Sequence, residues 1–176
     1  MSAKEYSVLT AVGGDRPGLV REISSAIHGA GCNLEDSRMA VLAGEFAVIL
    51  LLSGEHAAVE SFGRSAKKLE QELDLRITLK QTEQSPEREH LSRALIVTGA
   101  DQPGIVHRVS EALASRGINV ASLESRLGHA AFTGTPIFTL QAELQVPDAS
   151  ALDTVREQLD HVCDELNLSF TLEEIG

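Results

Sequence analysis

Apolar positions along the chain follow two rhythms that take turns. Residues 6–12 form a short β-branched run ending in glycine, the pattern of a strand. Leu19, Val20, Ile23, Ala26, Ile27 and Ala30 then recur at helical spacing and predict an amphipathic helix, which Gly31 stops. The chain resumes as a strand from Cys32, Ala43-Gly44 predicts a tight hairpin turn, and residues 46–52 are again an apolar strand. A second helix over about 57–73 and a last strand over 75–80 follow.

The second half repeats this order. Shifted by 86 positions, AVGGDRPGLVREISSAIHGAGCNL lies over VTGADQPGIVHRVSEALASRGINV, with identities that include Gly13/Gly99, Asp15/Asp101, Pro17/Pro103, Gly18/Gly104, Gly31/Gly117 and Asn33/Asn119. Its strands are expected at 93–98 and from Ile118, its helices around Ile105, Val106, Val109, Ala112 and Leu113 and over 149–166, and its last strand over 167–172. Beyond the shared Asn, Ser37-Arg38 matches Ser125-Arg126 only if the second copy carries two extra residues, and its hairpin connection, GHAAFTGTP, is longer. Hydrophobicity collapses around Pro86, so the chain reads as a first domain over 1–81, a linker over 82–91 and a second domain over 92–176. Each copy has the order βαββαβ, which predicts an α+β chain of two ferredoxin-like domains, each an antiparallel sheet with two helices on one face.

The segments richest in chemistry are GGDRPGLV and GADQPGIV, each where a strand turns into a helix. Gly13-Gly14 and Gly99 permit a tight turn and the close approach of another group. Asp15 and Asp101 are placed to accept N–H bonds at the helix start, and Pro17 and Pro103 suit a first helical turn. Exposed backbone N–H groups there would hold a small anion such as an amino-acid carboxylate, with Asn33 and Asn119 supplying amide contacts. Taken singly, each loop also reads as ordinary turn and cap chemistry.

The spacing GxDRPGLV, about fourteen residues, then Gly-x-Asn resembles the ACT-domain signature, once in each half. GCNLEDSRMAVLAGEFAVILLLSG and GTPIFTLQAELQVP further resemble the two-domain regulators of glycine cleavage within that family. The resemblance implies a regulatory module that binds a small amino acid, with glycine or serine as candidates, and that controls a DNA-binding activator by protein contact. Carried over by position, the ligand contacts are Gly14, Asp15, Arg16, Pro17, Gly18 and Asn33, with Ala100, Asp101, Gln102, Pro103, Gly104 and Asn119 in the second copy. Gln102 stands where the first copy has Arg16, so the two sites need not be equivalent. A scaffold that keeps the fold and binds no ligand is the alternative.

Composition narrows the partners. A formal charge of -11 disfavours direct binding to nucleic acid, which rests on Lys and Arg. Neither a signal-peptide pattern nor a membrane-length apolar run is expected from this sequence, so the expectation is a cytoplasmic protein. Cys32 and Cys163 are expected as buried free thiols. The six histidines show neither i, i+4 pairs nor zinc-ligand spacing, and no nucleophile with a base or phosphate-cradling loop is evident; the sequence therefore points to no metal, no cofactor and no catalysis. Exposed edges of small sheets favour association, and a homodimer is expected.

Overall fold

The structure, a computed structural model, describes residues 4–83, 89–129 and 133–175. It divides into two compact units, Met1–Pro86 and Glu87–Gly176. Unit one runs β1 (Glu5–Gly14), α1 (Leu19–Gly29), β2 (Asn33–Leu42), β3 (Glu45–Gly54), α2 (His56–Leu73) and β4 (Leu75–Thr82). Unit two repeats the order as β5 (Leu91–Ala100), α3 (Ile105–Ala114), β6 (Asn119–His129), β7 (Pro136–Val146), α4 (Ala149–Leu166) and β8 (Leu168–Glu174). The two sheets have the orders β2-β3-β1-β4 and β6-β7-β5-β8, and every pairing is antiparallel. The expected βαββαβ architecture is present twice.

Alternation along the central strands defines the covered side of each sheet. Leu9 and Ala11 of β1 and Phe46, Leu50 and Leu52 of β3 are buried against Ile23 and Ile27 of α1 and Phe62 and Leu69 of α2. Unit two builds its core from Leu95, Val97, Leu140 and Leu144 against Val109, Leu113, Val155 and Leu159. With 3% aromatic residues, these cores are almost wholly aliphatic. Helix α1 ends in a pair of reversed bonds, Cys32 N–H to the Ile27 carbonyl and Gly31 N–H to the His28 carbonyl, and α3 ends the same way through Ile118 and Gly117. Cys32 and Cys163 are buried and unbridged, and burial pushes both thiols above their ordinary pKa.

The hairpin between β2 and β3 is the predicted two-residue turn: Leu42 pairs with Glu45, and Ala43 and Gly44 both have positive φ, at 52° and 84°. The extra length of the second copy lies elsewhere than Ser125-Arg126 suggests. Both β2 and β6 carry a bulge at the same place, between Leu34 and Asp36 and between Val120 and Ser122, so the 86-residue offset holds along the whole strand. Ser37 then pairs with Leu50 and Leu123 with Ala142, in equivalent positions, and the added residues fall in the hairpin between His129 and Pro136. Ala130, Ala131 and Phe132 of the GHAAFTGTP segment, and residues 84–88 of the expected linker, lie outside the described residues.

Candidate functional site

Both DxPG loops sit at the end of the first strand of their unit, beside the hairpin. The Asp15 amide donates to the carbonyl of Gly44, the hairpin turn, at 2.9 Å, and the Asp101 amide donates to the Pro136 carbonyl at 3.2 Å. Gly13 and Gly99 do permit a close approach, but to the protein's own chain. A Cβ on Gly13 would come within 2.7 Å of Leu75 Cδ2 and 2.8 Å of the Asp74 carbonyl, and one on Gly99 within 2.5 Å of Leu168 Cδ2. Asp74 and Asn167 are the left-handed residues that end α2 and α4, so these glycines let each second helix turn back under the first strand. Gly14 has open space around it, and its counterpart is Ala100.

The helix starts differ from the expected cap. No side chain caps α1 or α3: Asp15 and Asp101 do not bond the helix amides, and the helices open at Gly18 and Gly104, with φ of 99° and 94°. Pro17 and Pro103 lie in the turn before the helix rather than in its first turn. The physical reason is that a glycine at positive φ takes the capping position, and the aspartate stands three residues before it rather than at the cap. The result favours a ligand, because the first amides of α1 carry the positive end of the helix dipole and have no intrahelical acceptor.

Arg16 stands beside this opening. Its guanidinium donates to both carboxylate oxygens of Glu22, at 3.2 and 2.7 Å, across the loop. Hydrogen bonding to Arg16 lowers the Glu22 pKa, and the same bond raises that of Arg16. Glu22 lies in the first turn of α1, with Oε1 3.3 Å from where a Gly18 Cβ would stand. The loop of unit one therefore offers an uncapped helix start and a cation, already answered by one internal carboxylate. Glu22 did not emerge from the sequence, because the pair is six residues apart and joins a loop to a helix, outside the i, i+4 rule.

In unit two the equivalent side chain is spent on structure. Gln102 Nε2 donates to the carbonyl of Leu166, the last residue of α4, at 2.5 Å. It satisfies an orphan carbonyl, so no cation comes from the loop itself; in the first turn of α3 Arg108 stands where unit one has Glu22. Nearby Arg108 and His161 both engage Glu165.

Asn33 and Asn119 are not brought to the loops within their own units. Asn33 pairs with Ser53, which pairs with Tyr6, whereas the loop follows Gly14, eight residues further along β1; at about 3.3 Å per residue the two ends are about 26 Å apart. Asn33 Nδ2 instead donates to Glu35 Oε1 at 3.0 Å, and the same oxygen accepts from Lys4 at 2.7 Å and from Ser53 Oγ. Lys4 first, then Ser53 and Asn33, hold the Glu35 carboxyl down at about 2. Asn119 donates to Gln145 Oε1 at 2.7 Å in the matching place.

A small apolar cleft of about 70 Å³ runs between α1 and the edge strand β2, lined by Val20, Ile23, Leu34, Met39 and Val48 among others. Among the described residues there is no group of His, Cys, Asp and Glu able to hold a metal, and no helix is long and apolar enough to cross a membrane.

Two stretches match family models of the ACT domain, residues 5–80 and residues 93–160. The glycine cleavage system transcriptional repressor of Escherichia coli (strain K12) is 32% identical over 168 residues, which cover 95% of this chain and 88% of that protein, and the protein of the same name from Shigella flexneri matches equally. Among solved structures, a protein of unknown function from Galdieria sulphuraria superposes with a TM-score of 0.84 at 29% identity, covering 99% of this chain and all of that one. A candidate glycine cleavage system transcriptional repressor superposes with a TM-score of 0.76 at 27% identity, covering 99% of both chains.

Proposed function

Because the chain belongs to the ACT-domain family, with one such domain in each half, we propose that it is a non-catalytic regulator that binds a small amino acid at the Gly14–Gly18 loop and controls a DNA-binding activator through protein contact. The full-length similarity to glycine cleavage repressors supports glycine or serine as the ligand and glycine cleavage as the process controlled. A cytoplasmic homodimer fits this role. The observation that carries the reading is the uncapped start of α1 with the Arg16 guanidinium beside it, a place where a ligand carboxylate gains dipole and ion-pair contacts together.

In this reading the first loop, Gly14, Asp15, Arg16, Pro17 and Gly18, is the primary site. The Ala100, Asp101, Gln102, Pro103 and Gly104 loop is the weaker one, because Gln102 is committed to α4. Asn33 and Asn119 take part only where a further copy of the fold presents its strand start to a loop, since each is about 26 Å from its own. Arg16 is neutralised by Glu22, so the ligand carboxylate competes with an internal one and affinity is modest.

A thermal-shift screen against the twenty amino acids, followed by calorimetry, tests the proposal: saturating glycine or serine raises the melting temperature selectively. The ligand-free scaffold is the second reading, favoured by that same internal neutralisation. An unchanged melting temperature at millimolar concentrations of every amino acid supports the scaffold and rejects the sensor.

A further inference from the structure

The two units share a fold and most of their core pattern, but the uncovered faces of their sheets differ in kind. In unit one the outward positions of the central strands are Val8, Thr10 and Val12 on β1 and Ala47, Ile49 and Leu51 on β3, with Val12 48% and Ile49 47% exposed. Arg38 on β2 and Arg76 and Lys80 on β4 flank this apolar centre, since Arg38 pairs with Ile49, Arg76 with Val12 and Lys80 with Val8. The anions on the same face are Asp36, bonded to Arg38 at 2.7 Å, Glu45 at the hairpin end, and Glu35, which accepts from Ser53 and pairs with Lys4 at 2.7 Å. With Lys4 added to Arg38, Arg76 and Lys80, four cations stand against three anions, and among the described residues Arg76 and Lys80 are without an ion-pair partner on that face, so the face is net positive on a chain of charge -11.

At equivalent positions the second sheet inverts this pattern. Glu124 stands where unit one has Arg38, Glu173 where it has Lys80, Glu143 where it has Leu51, and Gln141 where it has Ile49. Arg126 is the one cation among these outward positions and leans on Glu124 at 3.4 Å. Ala94, Ile96 and the methyl groups of Thr98, Thr139 and Thr171 leave an apolar strip between the acids, with Ile96 39% exposed.

We propose that two copies of the chain associate through these faces, the sheet of unit one in each copy stacking on the sheet of unit two in the other. The sign inversion at matched positions is what a reciprocal contact of unlike faces requires, and sheets stack face to face at about 10 Å. Stacking two unit-one faces on each other instead would bring two net-positive faces together, with Arg76 and Lys80 of both copies in one layer. Area also favours the reciprocal arrangement. Three strand spacings of about 4.8 Å and eight residues of about 3.3 Å make a face of roughly 14 by 26 Å, so two reciprocal contacts bury on the order of 1,500 Å², within the range of stable dimers, whereas one contact buries about half that.

Light scattering on the purified full chain tests this directly. The wild type is expected at twice the 18.8 kDa chain mass. The variant Arg38→Glu/Arg76→Glu/Lys80→Glu, with both faces acidic, and the variant Glu124→Lys/Glu143→Lys/Glu173→Lys, with both faces basic, are each expected to dissociate roughly 100-fold more readily. Mixed one to one, they are expected to form a heterodimer, because each face then meets its opposite. Circular dichroism checks that the variants fold; should either fail to, Lys80→Glu and Glu173→Lys replace them in the same design. A monomeric wild type, variants that dimerise as tightly as the wild type, or a mixture that stays monomeric would each overturn the proposal.

Discussion

The guanidinium of Arg16 is held by both oxygens of the Glu22 carboxylate, at 3.2 and 2.7 Å, directly beside the uncapped start of α1. A ligand carboxylate arriving at that helix start meets a cation that is already paired. Replacing Glu22 with Gln releases Arg16 and is expected to tighten glycine or serine binding about two- to fivefold, the worth of one exposed ion pair. Arg16→Gln, which copies the side chain of the second loop, is expected to weaken it at least about tenfold. Calorimetry on the two variants decides: if they move affinity in the same direction, the competition between Glu22 and ligand is wrong.

The glycines of the first loop separate into one that the fold needs and one that it does not. Gly13→Ala forces a Cβ into Leu75 and the Asp74 carbonyl and is expected to cost about 1–3 kcal/mol. Gly14→Ala meets nothing and, with Ala100 in the matching place, is expected to change stability by less than about 0.5 kcal/mol. Urea unfolding measures both.

The acid side of the stability profile belongs in part to Glu35. Its carboxyl is depressed from an ordinary 4.5 to about 2 by Lys4, Ser53 and Asn33, so on acidification the unfolded chain takes up that proton before the folded one does. The stabilisation is therefore fully present above the ordinary value and is lost as the pH falls toward 2. Glu35→Gln is expected to flatten the decline in melting temperature over that interval; an unchanged acid limb would rule out this assignment.

Helix α4 has the side-chain cap that α1 and α3 lack, Asp148 Oδ1 accepting from the Ala151 amide at 2.8 Å. Asp148→Ala is expected to cost about 1 kcal/mol, read as a lower denaturation midpoint. In the core, Phe62→Ala is expected to cost about 3–5 kcal/mol, because Phe62 is 1% exposed within the core of unit one.

The sequence displays its fold plainly because two different periods alternate in it twice, and Ala43-Gly44 can only be a turn between apolar runs. The site was less visible. Asn33 follows the first helix closely in sequence, but α1 carries the chain back along the sheet before Asn33 appears, so a neighbour in the motif is at the far end in space. Gly13 could be read as room for a ligand, and only the return of α2 shows that Asp74 and Leu75 fill that room. Ser125-Arg126 imitates Ser37-Arg38 by identity, while the strand register, fixed by a bulge at the same place in both copies, assigns the extra residues to the hairpin.

The bond from the Asp15 amide to the Gly44 carbonyl makes the loop and the hairpin tip one mechanical piece. Gly44 is followed at once by Glu45, the residue that pairs with both Leu42 and Gly14, so the tip is anchored to β1 on one side and β2 on the other. The loop is therefore joined, through one hydrogen bond and the hairpin, to the corner of the sheet and to β2, the strand on the opposite border from β4.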